Sequence, residues 1–261
     1  MEKTLVMKFG GASVATVDHF ASIATLITQQ VLEYSKIIVV VSAMGDTTDE
    51  LIAMAKKVHP SPPKREYDML ITVGERISIS LLAMALALKN QEACSFTGSQ
   101  TGIITCSRHS DARILDVRPH RILPHLNAGK IAIIAGFQGV SEGGEITTLG
   151  RGGSDTSAVA LGVALNAEKV VFFKDVEGLY AEDPKLNPSA KFHDKLDYEQ
   201  ALSIASNGFV LHPRCIVLAQ KNELPLQIRS FNQTSLKVEG TWICGDKRST
   251  TLRPIYEELE M

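Results

Sequence analysis

The sequence contains few cysteines, and none of them are spaced as a pair. Its four cysteines, Cys94, Cys106, Cys215 and Cys244, are scattered over 261 residues without a Cys-x-x-Cys motif. This pattern indicates neither a zinc site nor a disulfide framework. The seven histidines are equally dispersed and no His-Glu-x-x-His motif occurs. The sequence therefore predicts no metal site built from protein side chains.

Long apolar runs and an excess of basic charge are also missing. No stretch approaches the roughly 18–20 uninterrupted apolar residues of a membrane-spanning helix, and the first residues lack the pattern of a signal peptide. The formal net charge is −2, which argues against nucleic acid or a membrane surface as the partner. We therefore expect a cytoplasmic protein that binds neither.

Short apolar segments alternate with helical patterns along the chain. Five β-branched runs are nearly continuous in apolar residues, as in strands covered on both faces; they are 4–10, 36–43, 130–139, 169–176 and 224–231. Between them, helical spacing covers 17–34, 47–58, 64–89, 154–166, 198–206 and 213–222. This order predicts an α/β fold with a mainly parallel sheet sandwiched by helices.

Glycine and polar residues follow four of the predicted strands. The segments are KFGGAS at 8–13, SAMGDTTD at 42–49, GFQG at 136–139 and KDVEG at 174–178. Ligands of parallel sheets bind beyond the carboxyl ends of the strands, so these segments predict one shared site. Lys8, close before Gly10 and Gly11, would offer a positive charge and backbone amides to an anion. A surface lysine before a turn is the alternative.

The segment TTLGRGGSDTSA at 147–158 places two charges among glycines before a small-residue helix. Gly152 and Gly153 would present free amides to an anion, and the forked guanidinium of Arg151 suits a carboxylate or phosphate. Ser154 is predicted to cap the helix or to contact phosphate. Asp155 either complements the helix dipole or, as we predict, holds Lys8 in place across the site.

Known phosphate-binding motifs do not account for these residues. The P-loop spacing G-x-x-x-x-G-K-[ST], the protein-kinase motifs and the G-x-G-x-x-G fingerprint are all absent from the sequence.

Glu75 and Arg76 lie in a long apolar helical stretch. Taken alone, they favour a surface pair or a buried bridge.

The ordered set of motifs resembles the catalytic domain of aspartate kinases (aspartokinases), which belong to the amino acid kinase family. The matching segments are KFGGAS, VVVSAMGDTTDEL, DMLITVGERIS, SFTGSQTGIIT, IAGFQG, TTLGRGGSDTSA, KDVEGLYAEDP and VLHPR. They occur in the family's order and cover nearly the whole chain. The resemblance implies an amino acid kinase domain over 1–245, with a substrate lobe over about 1–168, a nucleotide lobe over about 169–245 and a tail at 246–261.

The resemblance also implies a role for individual residues. Lys8 and Asp155 would be catalytic, and Thr47, Glu75, Arg151 and Gly152 would bind aspartate. The nucleotide would contact Lys8, Gly10, Gly11, Ser42, Ser154, Lys174, Asp175, Tyr180, Asp183, Pro184 and Lys185. Because the ammonium group of aspartate needs a carboxylate partner, the resemblance replaces the interpretation of Glu75 as part of a charge pair and implies that it lies in the site.

The implied activity is transfer of the γ-phosphoryl group of ATP, with Mg²⁺ carried on its phosphates, to the side-chain carboxylate of L-aspartate. A weakly active or non-catalytic binding subunit and a kinase for a related acid are the alternatives. Three departures from the family pattern bear on nucleotide binding, namely Ala12, Lys185 and Phe209. A homo-oligomer is possible, and feedback through C-terminal ACT domains is expected to be absent.

Overall fold

The structure, a computed structural model, describes residues 2–182, 187, 189–205, 210–232, 239–245 and 253–258. Within these ranges the strands are β1 (Thr4–Phe9), β2 (Lys36–Val41), β3 (Ala93–Phe96), β4 (Ile103–Thr105), β5 (Ile114–Val117), β6 (Ile131–Ala135), β7 (Gln138–Ser141), β8 (Ile146–Thr148), β9 (Lys169–Lys174), β10 (Leu179–Tyr180), β11 (Phe192–His193), β12 (Lys195–Leu196), β13 (Leu226–Ser230) and β14 (Thr241–Ile243). The α-helices are α1 (Val17–Gln30), α2 (Thr47–Val58), α3 (Lys64–Ile71), α4 (Val73–Ala87), α5 (Gly98–Thr101), α6 (Leu123–Asn127), α7 (Gly153–Ala164), α8 (Tyr198–Ala205) and α9 (Pro213–Lys221), with 3₁₀ turns at Gly11–Val14 and Pro119–Arg121.

The main sheet of the described chain has eight strands in the order β12-β14-β13-β9-β1-β2-β6-β3. The six strands from β13 to β3 are parallel to their neighbours. At the other edge, β14 runs antiparallel to β13 and β12 pairs parallel with β14. The predicted α/β fold with a mainly parallel sheet is therefore confirmed.

The central strands are buried on both faces, as their continuous apolar sequence predicts. Along β1, Val6 packs with α7 and α9 on one face, while Leu5 and Met7 pack with α1 and α4 on the other. Alternate residues of a strand point to opposite faces of a sheet. Lys8 therefore points to the same face as Val6, toward α7.

A second, four-stranded sheet in the order β5-β4-β7-β8 was not predicted. The predicted strand 130–139 ends at Ala135, where the chain turns through Gly136 and Phe137, and continues as β7 in this second sheet. Phe137 has a φ of 69°, a left-handed conformation that few non-glycine residues adopt. The short strands of this sheet, three or four residues long, carry too little periodicity to be recognised in the sequence.

The predicted helix over 64–89 is divided at Thr72 into α3 and α4. By length and composition, Lys64–Ala87 is the one helical stretch of the described residues that could cross a membrane. Its buried apolar residues, including Leu82 and Leu86, pack against the main sheet with α1. This is the packing of a helix that covers a sheet.

The expected division into two lobes near residue 168 stays a prediction. Strand β9, which begins at Lys169, pairs along its length with β1, so one continuous sheet joins the two parts. Of the predicted tail, residues 253–258 are described, and they lie against the domain through a bond from the N–H of Glu257 to the carbonyl of Ile114.

The packing of α4 predicts a large difference between two leucine substitutions in this helix region. Leu82 is fully buried whereas Leu88 is 87% exposed. We expect Leu82→Ala to lower the free energy of unfolding by about 2–5 kcal/mol because it leaves a cavity. Leu88→Ala, the matched control, should change it by less than about 0.5 kcal/mol. Urea denaturation measures both, and equal effects would contradict this packing.

Candidate active site

A cavity of about 640 Å³ lies at the carboxyl ends of the central strands. Its lining brings together the turns after β1 and β2, the first turn of α4 and the segment that leads into α7. Predicted site residues on its wall are Lys8, Gly11, Ser42, Glu75, Arg151, Gly152, Ser154 and Asp155. Three of the four predicted strand-end segments, those at 8–13, 42–49 and 136–139, contribute to this wall, whereas no residue of 174–178 lines it.

Asp155, which lines this cavity together with Lys8, forms ion pairs with two lysines. Lys8 Nζ lies 2.6 Å from Asp155 Oδ1, and Lys174 Nζ lies 3.1 Å from Oδ2. Lys8 and Lys174 occupy neighbouring parallel strands and face the side of the sheet on which α7 begins. The predicted contact between Lys8 and Asp155 is confirmed, and its extension to Lys174 was not foreseen.

The electrostatics of this cluster follow from its burial. Burial alone would raise the pKa of Asp155, but Lys8 and Lys174 outweigh it and bring the pKa to about 2. Burial lowers the pKa of Lys8, and the attraction of Asp155 partly offsets this. With one carboxylate between two ammonium groups, the cluster carries a net charge of +1 next to the cavity. It is therefore suited to an anionic ligand.

Glu75 projects from the first turn of α4 into the same cavity. Its Oε1 accepts a hydrogen bond of 3.1 Å from the N–H of Ala43, which follows β2. Its Oε2 is buried and has no hydrogen-bond partner within the described residues. Burial raises the pKa of Glu75 to about 7, against the opposing effects of hydrogen bonds from its own N–H and that of Ala43 and of the charge of Lys8. Arg76 is exposed, so the two residues form neither a buried bridge nor a surface pair.

The segment before α7 is shaped by two glycines with left-handed backbone. Gly150 has a φ of 72° and Gly152 a φ of 70°. A β-carbon on Gly152 would lie 2.3 Å from Cβ of His212, so no larger residue fits there. Between them, Arg151 is exposed and borders the cavity, with its guanidinium available to a ligand. This arrangement fits the predicted clamp.

The start of α7 differs from the prediction. The N-cap is Gly152, which lacks a side chain, and the predicted cap Ser154 lies within the first turn. The prediction of Ser154 as the cap is therefore wrong, because the left-handed glycine ends the preceding turn. Its possible contact with phosphate stays a prediction. Helix α2 begins at Thr47, with Asp46 as its N-cap residue.

The remaining predicted residues are distributed around the cavity and beyond it. Thr48 rather than Thr47 lines the wall, and Thr47 Cγ2 lies near Gly74 of α4. Gly10 follows β1 next to Lys8 Nζ, and Asp175 is exposed after β9. Tyr180 lines a different cavity of about 550 Å³. Asp183, Pro184, Lys185 and Phe209 lie outside the described residues, so the roles given to them stay predictions.

Asp68 is a buried residue that the sequence analysis missed. Its carboxylate accepts bonds of 3.1 Å and 2.8 Å from the N–H and hydroxyl of Thr148, and one of 3.1 Å from the N–H of Ser110. His109 Nδ1 lies 2.8 Å from it. Asp68 therefore ties α3 to two segments of the cavity wall. The structural role of Asp68 depends on partners that lie 41 to 80 residues away in the sequence, and no local sequence pattern reveals them.

Comparison with known proteins assigns this chain to a family. Residues 3–230 match the amino acid kinase family. The chain therefore belongs to the amino acid kinase family, and the resemblance seen in the sequence is confirmed at that level.

Particular relatives are similar over most of this chain. An aspartokinase from Bacillus sp. (strain MGA3) is 48% identical over 240 residues, which cover 92% of this chain and 58% of that protein. An aspartate kinase structure from Synechocystis is 40% identical with a TM-score of 0.85, covering 98% of this chain and 42% of that one. E. coli aspartokinase III in complex with aspartate and ADP is 25% identical with a TM-score of 0.81, covering 94% of this chain and 65% of that one. The chain spans a little over half the length of the curated relatives it matches.

The raised pKa of Glu75 predicts a pH-dependent stability of the ligand-free protein. Between the ordinary pKa of 4.5 and the folded value of about 7, the unfolded chain ionises while the folded one holds the proton. Folding therefore loses stability as pH rises through this window, on the order of 3 kcal/mol. The Glu75→Gln variant should not lose stability in this way, because glutamine does not ionise. Denaturation of both proteins at pH 5 and pH 8 measures it, and parallel pH profiles would contradict the buried acid.

Proposed function

We propose that this chain carries an aspartate kinase active site, which phosphorylates the side-chain carboxylate of L-aspartate with ATP. The observation that carries the proposal is the Lys8–Asp155–Lys174 cluster, in which Lys8 and Asp155 are buried, beside a cavity bordered by Arg151 and Glu75. The named relatives, including one with aspartate and ADP bound, support the choice of substrate.

The chemistry needs charge compensation more than proton transfer. The side-chain carboxylate of aspartate has a pKa of about 3.9 and is ionised at neutral pH. It can attack the γ-phosphoryl group without a general base, which fits a cavity whose described wall contains no histidine. Two anions must instead be brought together in line. Lys8 and the backbone amides near Gly11 would stabilise the charge on the transferred group.

The two ends of the cavity would hold the amino acid by complementary charge. Arg151 would bind the α-carboxylate through its forked guanidinium. Glu75 would accept a hydrogen bond from the α-ammonium through Oε2, the buried oxygen without a partner in the described chain. An ammonium group there would also favour the ionised form of Glu75. These contacts leave the side-chain carboxylate of aspartate as the group that reaches the phosphoryl donor.

The nucleotide would extend from Lys8 past Lys174 toward Asp175 and Tyr180, as the resemblance implies. Both oxygens of Asp155 are occupied by lysines, and no cluster of three or more His, Cys, Asp or Glu side chains suits a metal in the described residues. Mg²⁺ would be held on the nucleotide phosphates, where it neutralises their charge. Homo-oligomerisation and a cytoplasmic location stay predictions.

A weakly catalytic binding subunit is the competing function, because Ala12 removes a hydroxyl expected beside the phosphates. The contacts among Lys8, Asp155 and Lys174 favour catalysis. Aspartate-dependent consumption of ATP, with the acyl phosphate trapped as its hydroxamate, distinguishes the two. Comparing L-aspartate with glutamate and with an analogue that lacks the ammonium group tests the third alternative, a kinase for a related acid.

Removal of the Lys8 ammonium group should affect turnover far more than folding. We expect Lys8→Ala to lower kcat by roughly 10²- to 10³-fold in the hydroxamate assay, since a charge on the transferred phosphoryl group loses its partner. Lys56, an exposed lysine of α2 that borders the same cavity, provides the matched control. Lys56→Ala should change kcat by no more than about twofold. Equal losses would contradict the role of Lys8.

Substitution of Arg151 should act mainly on aspartate. We expect Arg151→Ala to raise the KM for aspartate by roughly 10- to 100-fold, because a charge-assisted hydrogen-bond pair is lost. Arg151→Lys should have an intermediate effect, since it keeps the charge without the fork. Arg76→Ala, on the exposed side of α4, is the control. An unchanged aspartate KM in Arg151→Ala would show that the clamp is misassigned.

A further inference from the structure

The arginine of the VLHPR segment, Arg214, lies outside the site described above but is bonded to it. It is the second residue of α9, and its side chain is only 11% exposed. Its Nη1 donates a hydrogen bond to the carbonyl of Leu149, and its Nη2 donates one of 2.6 Å to the carbonyl of Ala112. Leu149 is two residues before Arg151. The guanidinium thus holds the backbone at the start of the turn that carries the proposed clamp.

Glu257, in the C-terminal segment 253–258, also contacts this guanidinium. Its carboxylate accepts hydrogen bonds from Nε and Nη2 of Arg214, the second at 2.7 Å, and is itself 11% exposed. The N–H of Ile114 donates a bond of 2.8 Å to Glu257 Oε2. Backbone and side chain of Glu257 are therefore both attached to β5. Such a bidentate, mostly buried pair fixes the orientation of the guanidinium plane.

The turn held in this way separates two cavities. Arg151 and Gly150 border the proposed active site on one side. On the other side they border a cavity of about 670 Å³ that is also lined by Arg214 and Glu257. Within the turn, the carbonyl of Gly150 accepts a hydrogen bond of 3.0 Å from the N–H of Gly153, and Gly152 packs closely against His212. At the start of the turn, Leu149 attaches it to the rest of the domain through its N–H to the carbonyl of Phe137 and its carbonyl to Arg214.

We propose that Arg214 and Glu257 are positioning residues that fix the turn Gly150–Gly152 and thereby the place of Arg151. The consequence for aspartate rests on the proposed function, whereas the effect on the turn does not. Loss of the pair should allow Arg151 to move relative to Glu75, so that both ends of the amino acid are no longer held together. A displacement of about 1 Å at such a site is enough to weaken a reaction substantially.

The test uses Glu257→Ala and Arg214→Lys, with Glu258→Ala as the matched control. Glu258 lies in the same segment and pairs with Lys221 of α9 at 3.0 Å, but its side chain is 83% exposed and does not contact the turn. Hydrogen–deuterium exchange of peptides covering 147–156 measures the turn directly. We expect exchange about tenfold faster in the first two variants and unchanged in Glu258→Ala.

Steady-state kinetics measure the consequence. We expect the KM for aspartate to rise about tenfold in Glu257→Ala and Arg214→Lys, with kcat and the KM for ATP within about twofold of the parent. A general loss of structure would instead lower kcat and affect both substrates. Arg214→Lys keeps the positive charge, and it provides the test of the inference if Glu257→Ala does not fold.

The outcomes separate this inference from the proposed function. Unchanged exchange in folded Glu257→Ala and Arg214→Lys, or an equal increase in Glu258→Ala, would overturn the inference. Faster exchange without any change in the KM for aspartate would support the positioning of the turn and contradict the role of Arg151 in binding aspartate. If the parent protein shows no aspartate-dependent turnover, the proposed function fails, and the exchange result alone decides the inference.

Discussion

The site depends on one carboxylate, Asp155, that forms ion pairs with two lysines inside the protein. Without Asp155, Lys8 and Lys174 would repel each other, and burial would favour the neutral form of Lys8. With it, the three groups form a compact cluster with one net positive charge. Truncation of a single member of a buried charge cluster leaves the others uncompensated, which costs more than the loss of a surface pair. The cluster therefore connects β1 and β9 to α7 and places positive charge next to the cavity.

The fold explains why these groups meet. Lys174 is the last residue of β9, and Lys8 is the second-last residue of the neighbouring parallel strand β1. The alternation of side chains along the two strands points both lysines toward α7. Asp155 lies in the first turn of that helix, where a negative charge is also favoured by the helix dipole. Asp155 is thus placed both to complement the helix dipole and to contact Lys8, the two alternatives that the sequence offered. Left-handed Gly152 allows the helix to begin close enough for these contacts.

The sequence allowed the central layer to be predicted because long apolar strands and amphipathic helices have strong periodic signals. It also allowed Lys8 and Asp155 to be paired, because a carboxylate beside a predicted anion site is best explained by a positive partner. The second sheet, the contacts of Asp68 and the bonds of Arg214 with Glu257 could not be predicted this way. Each joins short or distant segments through single side chains, and these contacts have no local pattern. The cap of α7 was mispredicted because the hydroxyl of Ser154 was preferred over a left-handed glycine.

A structure of the protein with L-aspartate and a non-hydrolysable ATP analogue tests the central claim most directly. The account predicts that the terminal phosphoryl group lies against Lys8 and the turn at Gly11, with the aspartate held between Arg151 and Glu75. A terminal phosphoryl group that points away from Lys8, or an aspartate bound outside this cavity, would contradict it.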